Sequence, residues 1–261
     1  MATGTLNRNE RRERGTRART RTTSIGRTAR RAGLLYLAIF ALYPLAALVG
    51  RSSLVVSGDA ASTAANLVAD ETLFGWGMVG LAVVICIEVV LAGLLYVIFR
   101  PVSRSISLAA AFARLGEGVV MAINLFTGFL ALLAAGGAGY LAAFSREQLD
   151  ALTMLALDLD EFVVLLWGVF FALHLLLLGY LVYRSGFLPK ILGVLLALAG
   201  MGYFAQSLGF MIAPDSRELL ETLVIVLAVP GELAFALWLV IKRVDEEKWQ
   251  ARALDAEAAL V

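Results

Sequence analysis

The amino-acid sequence predicts an all-α fold: a polytopic bundle of six transmembrane helices, with both termini in the cytoplasm and two amphipathic helices on the outer surface. Three observations predict it. Hydrophobic residues make up 60% of the 261 and charged ones only 16%, against roughly 45–50% and 25% in soluble domains. Residues 32–50, 162–183 and 191–214 are runs of 19, 22 and 24 without a charge, long enough to cross a hydrocarbon core about 30 Å thick. Lysine and arginine alternate by side: with the N-terminus inside, the inner segments hold eighteen and the outer ones only Arg51, Arg146 and Arg217, the bias that sets orientation.

Residues 1–31 carry ten arginines and almost nothing apolar, so they lack the surface whose burial offsets chain ordering. The expectation is a disordered basic cytoplasmic tail, drawn to anionic lipid headgroups by about 1 kcal/mol per charge or serving only as an orientation signal. The apolar run after Arg31 is too long for the h-region of an export signal and no small-residue cleavage site follows it, so it is expected to remain as the first span, about 32–50. Asp59 then precedes good helix formers, a capping signal for a short outer helix. The second span covers about 74–99 and the third about 106–134, joined by Arg100-Pro101-Val102-Ser103-Arg104, a tight turn.

Ser145 with Gln148 has capping-box spacing and opens a second outer helix expected to lie on the leaflet surface. Asp158, Asp160 and Glu161 follow it and make the outer face acidic. The fourth and fifth spans, about 162–183 and 191–213, are joined by a Gly- and Pro-containing turn. The sixth, about 221–241, completes a membrane domain of residues 32–242, and residues 243–261 form a cytoplasmic C-terminal helix. Tyr96, Tyr180, Tyr183 and Trp238 sit near the inner ends, where an aromatic belt belongs.

Several segments carry a resemblance: Ala29-Arg30-Arg31-Ala32-Gly33-Leu34-Leu35-Tyr36-Leu37, Ser57-Gly58-Asp59-Ala60-Ala61, and Tyr180-Leu181-Val182-Tyr183-Arg184-Ser185-Gly186-Phe187-Leu188-Pro189-Lys190-Ile191-Leu192-Gly193. Over roughly residues 28–242 the chain resembles the bacterial integral membrane family known as domain of unknown function 4386. The resemblance implies a multi-pass protein of the bacterial inner (cell) membrane. It implies no activity.

Ionisable groups inside a bilayer cost several kcal/mol unless they face a partner or water, so each is a functional hypothesis. Counting from the inner ends at about 1.5 Å per residue puts Glu88, Arg114, Glu117, His174 and Glu232 near one level, on the order of 15 Å deep. Helical phase aligns Ala110, Arg114, Glu117, Met121, Asn124 and Gly128 in one stripe. The plain reading is a buried ion pair of Arg114 with Glu88 or Glu117. The functional reading leaves one carboxyl unpaired to exchange a proton with a cavity. His174 is either a hydrogen-bonded core histidine or a metal ligand beside the carboxylates. Pro230 and Gly231 predict a kink: the proline frees the carbonyl of Val226 and the glycine loosens the turn. Transporters use broken helices of this kind at binding sites, but prolines are also common in ordinary spans.

One cysteine, Cys86, permits no disulfide within the chain. The net charge of +1 is sorted by side rather than clustered, so no nucleic-acid partner is indicated and the lipid bilayer is the partner expected. Phosphate loop, nucleophile elbow and CxxC pair are all missing from the sequence, so no cofactor is called for. The function expected is small-solute or proton-coupled transport through a mid-membrane polar cavity. The alternatives are a structural or accessory membrane protein, or a metal-dependent membrane enzyme using His174 and carboxylates.

Overall fold

A computed structural model describes residues 8–258 of the chain. Residues 1–7 of the basic tail and 259–261 of the C-terminal segment lie outside the described residues. All of the regular structure described is helical: α1 (Arg8–Pro44), α2 (Ala60–Ala69), α3 (Glu71–Phe99), α4 (Arg104–Gly136), α5 (Arg146–Ser185), α6 (Lys190–Ile212), α7 (Arg217–Ile241) and α8 (Glu246–Ala258), with short π and 3₁₀ turns between them. Among the described residues, six segments are long and apolar enough to cross a membrane: Ile25–Leu54, Glu71–Phe99, Arg104–Gly136, Arg146–Ser185, Lys190–Ile212 and Arg217–Ile241. A bilayer interior offers backbone groups no water, so each such segment must satisfy its own amides and carbonyls, which the helix does. Phe112, Val119, Phe126, Trp76, Ile191 and Ile225 point away from the bundle and stay exposed, an apolar exterior that suits lipid. The chain is a multi-pass membrane protein.

The six spans close into a ring in chain order: α3 packs on α4, α4 on α5, α5 on α6, α6 on α7, and α1 seals the ring by packing on both α3 and α7. Both termini therefore lie at one end, here the terminal end. The opposite, far end carries the connections after α1, α4 and α6. Close approach is bought with missing side chains. A Cβ on Gly193 would stand 2.6 Å from the Gly179 carbonyl oxygen, and one on Gly179 would stand 2.7 Å from that of Gly193, so α5 and α6 meet backbone to backbone there, as small residues allow in membranes.

Helix α1 begins at Arg8 and runs unbroken to Pro44, across the boundary expected at residue 31. Ile25, Ala29, Ala32 and Tyr36 recur at helical spacing and are all buried, so residues counted as tail pack as the first turns of the span. The second outer helix is not separate. The Ser145–Gln148 capping box is formed, but the helix it opens continues through the span as one 40-residue helix, about 60 Å long. The first outer helix, α2, is present, its N-terminus capped by Asp59 accepting from the Ser62 amide. Its buried Ala64 and Leu67 join a cluster with Phe74, Ala131, Ala156 and Leu157, so its apolar side meets protein.

At the terminal end, Ser103 caps α4 by accepting from the Ile106 amide at 3.4 Å. Gly186 closes α5 in the left-handed conformation at φ 75°, where a side chain would be strained. Helix α8 folds back under the bundle: the Trp249 indole donates to the Ile98 carbonyl at 2.8 Å, and the Asp245 amide donates to that of Phe187 at 3.1 Å. The Lys248 ammonium and amide hold the Asp245 carboxyl below its ordinary range.

Candidate functional site

The middle of the ring is polar, and its centre is Arg114 on α4. The guanidinium is 1% exposed. Its Nε stands 2.6 Å from Glu88 Oε2 on α3 and 3.8 Å from Glu117 Oε1, one turn further along α4. One terminal nitrogen donates to the Tyr36 hydroxyl on α1 at 3.1 Å and reaches His174 Nε2 on α5 at 2.9 Å. The rings of Tyr36 and Phe171 flank the cation at 4.7 and 5.7 Å, within cation–π range. Burying a charge costs several kcal/mol unless partners replace water, and four of the six spans contribute to that replacement.

His174 has both nitrogens engaged. Nδ1 lies 2.8 Å from the Ala110 carbonyl oxygen, which can only accept. Arg114 can only donate, so Nε2 accepts and the ring is the neutral Nδ1–H tautomer. No ring lone pair is left for a metal ion, and no group of three or more His, Cys, Asp or Glu among the described residues is arranged to hold one.

The carboxyl groups are arranged unevenly. Glu88 Oε2 is the nearest carboxylate oxygen to the arginine, although it and Nε are not aligned as a hydrogen bond. Glu117 is fully buried and neither of its oxygens meets an aligned donor, while its carboxyl faces that of Glu88. Glu232 on α7 is buried and faces the Tyr203 hydroxyl on α6. The layer thus draws one or more polar groups from every span: Tyr36, Glu88, Arg114 with Glu117, His174, Tyr203 and Glu232.

The remaining residues singled out in the sequence lie elsewhere. Asn124 is buried on the same stripe of α4 but two turns toward the far end. Pro230 faces outward, and α7 continues through it as one helix. Gly231 faces α6, where a Cβ would stand 2.9 Å from the Leu195 carbonyl oxygen, so it serves close packing. Tyr36 and Tyr203 were missed by sequence reasoning because a tyrosine in an apolar run raises no alarm. Their signal was depth: each lies about 10–13 residues from the terminal end of its span, level with the charges.

A cavity of about 440 Å³ opens at the far end. Its deep part is walled by Tyr43, Leu81 and Asn124, and its mouth by Arg51, Asp158, Asp160, Arg217 and Glu221. Arg51, expected in an outer loop, is buried: its guanidinium is paired with Asp160, which also accepts from the Thr127 hydroxyl, and it lies 5.5 Å from the Phe74 ring centre. The cavity wall includes none of Glu88, Arg114, Glu117, His174 or Glu232. Between wall and layer lies an aromatic stack, Tyr43 on Trp167 at 6.3 Å, Trp167 on Phe171 at 4.9 Å and Phe171 on His174 at 6.2 Å, with Tyr203 edge-on to Trp167 and Phe171. The layer is buried, and the cavity ends on a plug of rings.

Comparison with known proteins returns a family and one relative. Residues 31–242 match the family described as domain of unknown function (DUF4386), a range that contains every residue of the layer. An uncharacterized protein of Archaeoglobus fulgidus is 30% identical over 171 residues, covering 64% of this chain and 83% of that protein. No solved structure matches.

Proposed function

This chain belongs to the DUF4386 family, and from the polar layer lying within that family's span we propose that it is a proton-coupled carrier of a small solute. The observation that carries the reading is Glu117: a buried carboxyl without an aligned donor, facing a second carboxyl, beside a single arginine. A proton between Glu88 and Glu117 would supply the missing donor, and two carboxyls sharing one cation is an arrangement that takes up and releases such a proton as the cation moves. Glu232 and Tyr203 extend the relay to α6 and α7. The far-end cavity is the solute's way in, and the stack of Tyr43, Trp167 and Phe171 is the gate that keeps solute and layer apart in this state. The lysine and arginine count supports a far end that faces outside and termini in the cytoplasm of a bacterial cell, with the arginine-rich tail near anionic headgroups.

The test uses purified protein in liposomes loaded with a pH-sensitive dye, challenged with a panel of small solutes. One solute class is expected to move protons with wild type and not with Glu117→Gln or Glu232→Gln, each still folded. A panel that moves no protons with wild type overturns the carrier reading. A second reading, an accessory protein whose layer only locks the helices, is favoured by the burial of the layer and by the four side chains gathered around Arg114. It expects unchanged phenotype from the glutamines and loss of phenotype on truncating residues 1–27 or 245–261. A metal-dependent enzyme built on His174 is not favoured, because both ring nitrogens are occupied.

A further inference from the structure

We propose that residues 45–53 are a lid on the far-end cavity, hinged at Pro44 and latched by Arg51 on Asp160. The proposal deepens the carrier reading and rests on its assignment of the ring stack as the gate. The first observation is the lid's backbone. Helix α1 reaches Pro44, Leu45–Val49 follow as a π-helical turn in which the Gly50 amide donates to the Leu45 carbonyl at 3.3 Å, and Ser52–Leu54 form a 3₁₀ turn. Pro44 has no N–H to give the Phe40 carbonyl, which weakens the turn before it. Changes of helix type inside a span mark hinges and functional segments. Beyond the lid the chain is tied down again, the Leu54 carbonyl accepting from Asn66 Nδ2 on α2 at 3.1 Å. The lid is therefore a strap with a weak turn at one end and an anchor at the other.

The second observation is what holds the strap. Toward α3 it offers no side chain to interlock: a Cβ on Gly50 would stand 2.4 Å from Gly77 Cα, and one on Gly77 would stand 2.9 Å from the Ala46 carbonyl oxygen. Two backbones in contact make a plane along which one can slide on the other. Away from the bundle Leu45, Leu48 and Val49 are exposed, so no described helix blocks an outward swing. The strap's polar tie across the cavity is Arg51, which reaches Asp160 on α5 beside the Thr127 hydroxyl of α4 and the Phe74 ring of α3. The third observation is what the strap covers. Ala47, Arg51 and Ser52 line the cavity, and Tyr43, in the weak turn itself, stacks on Trp167 as the outermost ring of the gate. Breaking the Arg51–Asp160 pair frees the strap, and bending at Pro44 then draws Tyr43 off Trp167 and joins the cavity to the polar layer.

The experiment reads access past the gate. Met121 is buried on α4 between Glu117 and Asn124. Met121→Cys is made in the full chain after Cys86→Ser has removed the native thiol, and the protein in nanodiscs is treated with sulfonatoethyl methanethiosulfonate, a charged reagent that does not enter lipid, with the labelling rate read by mass spectrometry. Slow labelling is expected with the latch intact, and labelling about tenfold faster in Arg51→Gln. Asp160→Asn is expected to match it and reads the same latch should Arg51→Gln fail to fold. Arg51→Glu with Asp160→Arg, the pair reversed, is expected to return to the slow rate, which a merely destabilised bundle would not do. Pro44→Ala restores a donor to the Phe40 carbonyl and is expected to slow labelling in the Arg51→Gln protein. Fast labelling with the latch intact, unchanged labelling in both single variants, or fast labelling in the reversed pair overturns the lid. Because no solute or gradient is present, faster labelling in a protein that carries no solute overturns only the carrier reading. Solute-driven proton movement, with labelling unchanged in both single variants, overturns only the lid.

Discussion

Two carboxyls sharing one arginine make the cost of losing either one depend on the other. In Glu88→Gln the partner at 2.6 Å becomes neutral, but Glu117 remains at 3.8 Å from the same nitrogen. At an effective dielectric of about 20, unit charges at these separations attract by about 6 and about 4 kcal/mol. Most of that gross attraction offsets desolvation, so the difference of about 2 kcal/mol is the expected loss in Glu88→Gln, with Glu117 taking over the cation. Glu117→Gln removes the carboxyl without an aligned donor and replaces it with a group that can donate to Glu88, so a change below about 1 kcal/mol is expected. The double variant strips Arg114 of both carboxylates. Leaving a buried charge unpaired costs about 3–5 kcal/mol, more than the two single losses together. The assay is equilibrium unfolding in mixed detergent micelles followed by tryptophan fluorescence, read as a double-mutant cycle. Additive losses, or a Glu117→Gln loss larger than that of Glu88→Gln, would refute the shared-cation reasoning.

Other expectations follow from packing and capping. Trp249→Ala removes a buried indole and its bond to the Ile98 carbonyl, and a loss of about 3–5 kcal/mol, with protease cleavage ahead of α8, is expected. Trp249→Phe keeps the ring and loses about 1 kcal/mol, so equal losses in the two variants would argue against the indole bond. Gly193→Ala puts a methyl 2.6 Å from the Gly179 carbonyl oxygen and is expected to cost about 1–3 kcal/mol. Gly93→Ala, facing open space, is expected to be neutral or stabilising by up to about 1 kcal/mol, and thermal shifts of the two variants in detergent compare them directly. Asp59 is held below the ordinary aspartate range by the Ser62 amide and hydroxyl. Its folded value lies below its unfolded one, so the cap acts fully above about pH 4 and is lost as pH falls through the lowered value. The Ser62 amide resonance is expected to titrate there in wild type and to stay flat in Asp59→Asn.

The number of spans and most of their turns were legible in the residues alone, because in lipid every backbone group must be satisfied within its own segment. A stretch without charges therefore declares a helix whatever its neighbours are. Depth was legible for the same reason: a constant rise per residue put Glu88, Arg114, Glu117, His174 and Glu232 near one level, and in the structure Arg114 touches three of them. Rotation was not. Which residue faces the ring's centre, and across from what, depends on the azimuth of six helices packed on one another. For that reason Tyr36 and Tyr203 went unnoticed, and Arg51 looked like a loop residue although it pairs with Asp160, 109 positions away. Continuity was also decided by the tertiary structure. Ser145 announces a helix start, but only packing against α2 and α4 decides whether that helix stops at the surface or runs on through Asp160 into the span. The sequence alone thus determined a membrane bundle of six spans and the depth of its charges. The tertiary structure decided their partners, the burial of the layer and the cavity above it, because pairing across helices is set by contacts that no local run of residues contains.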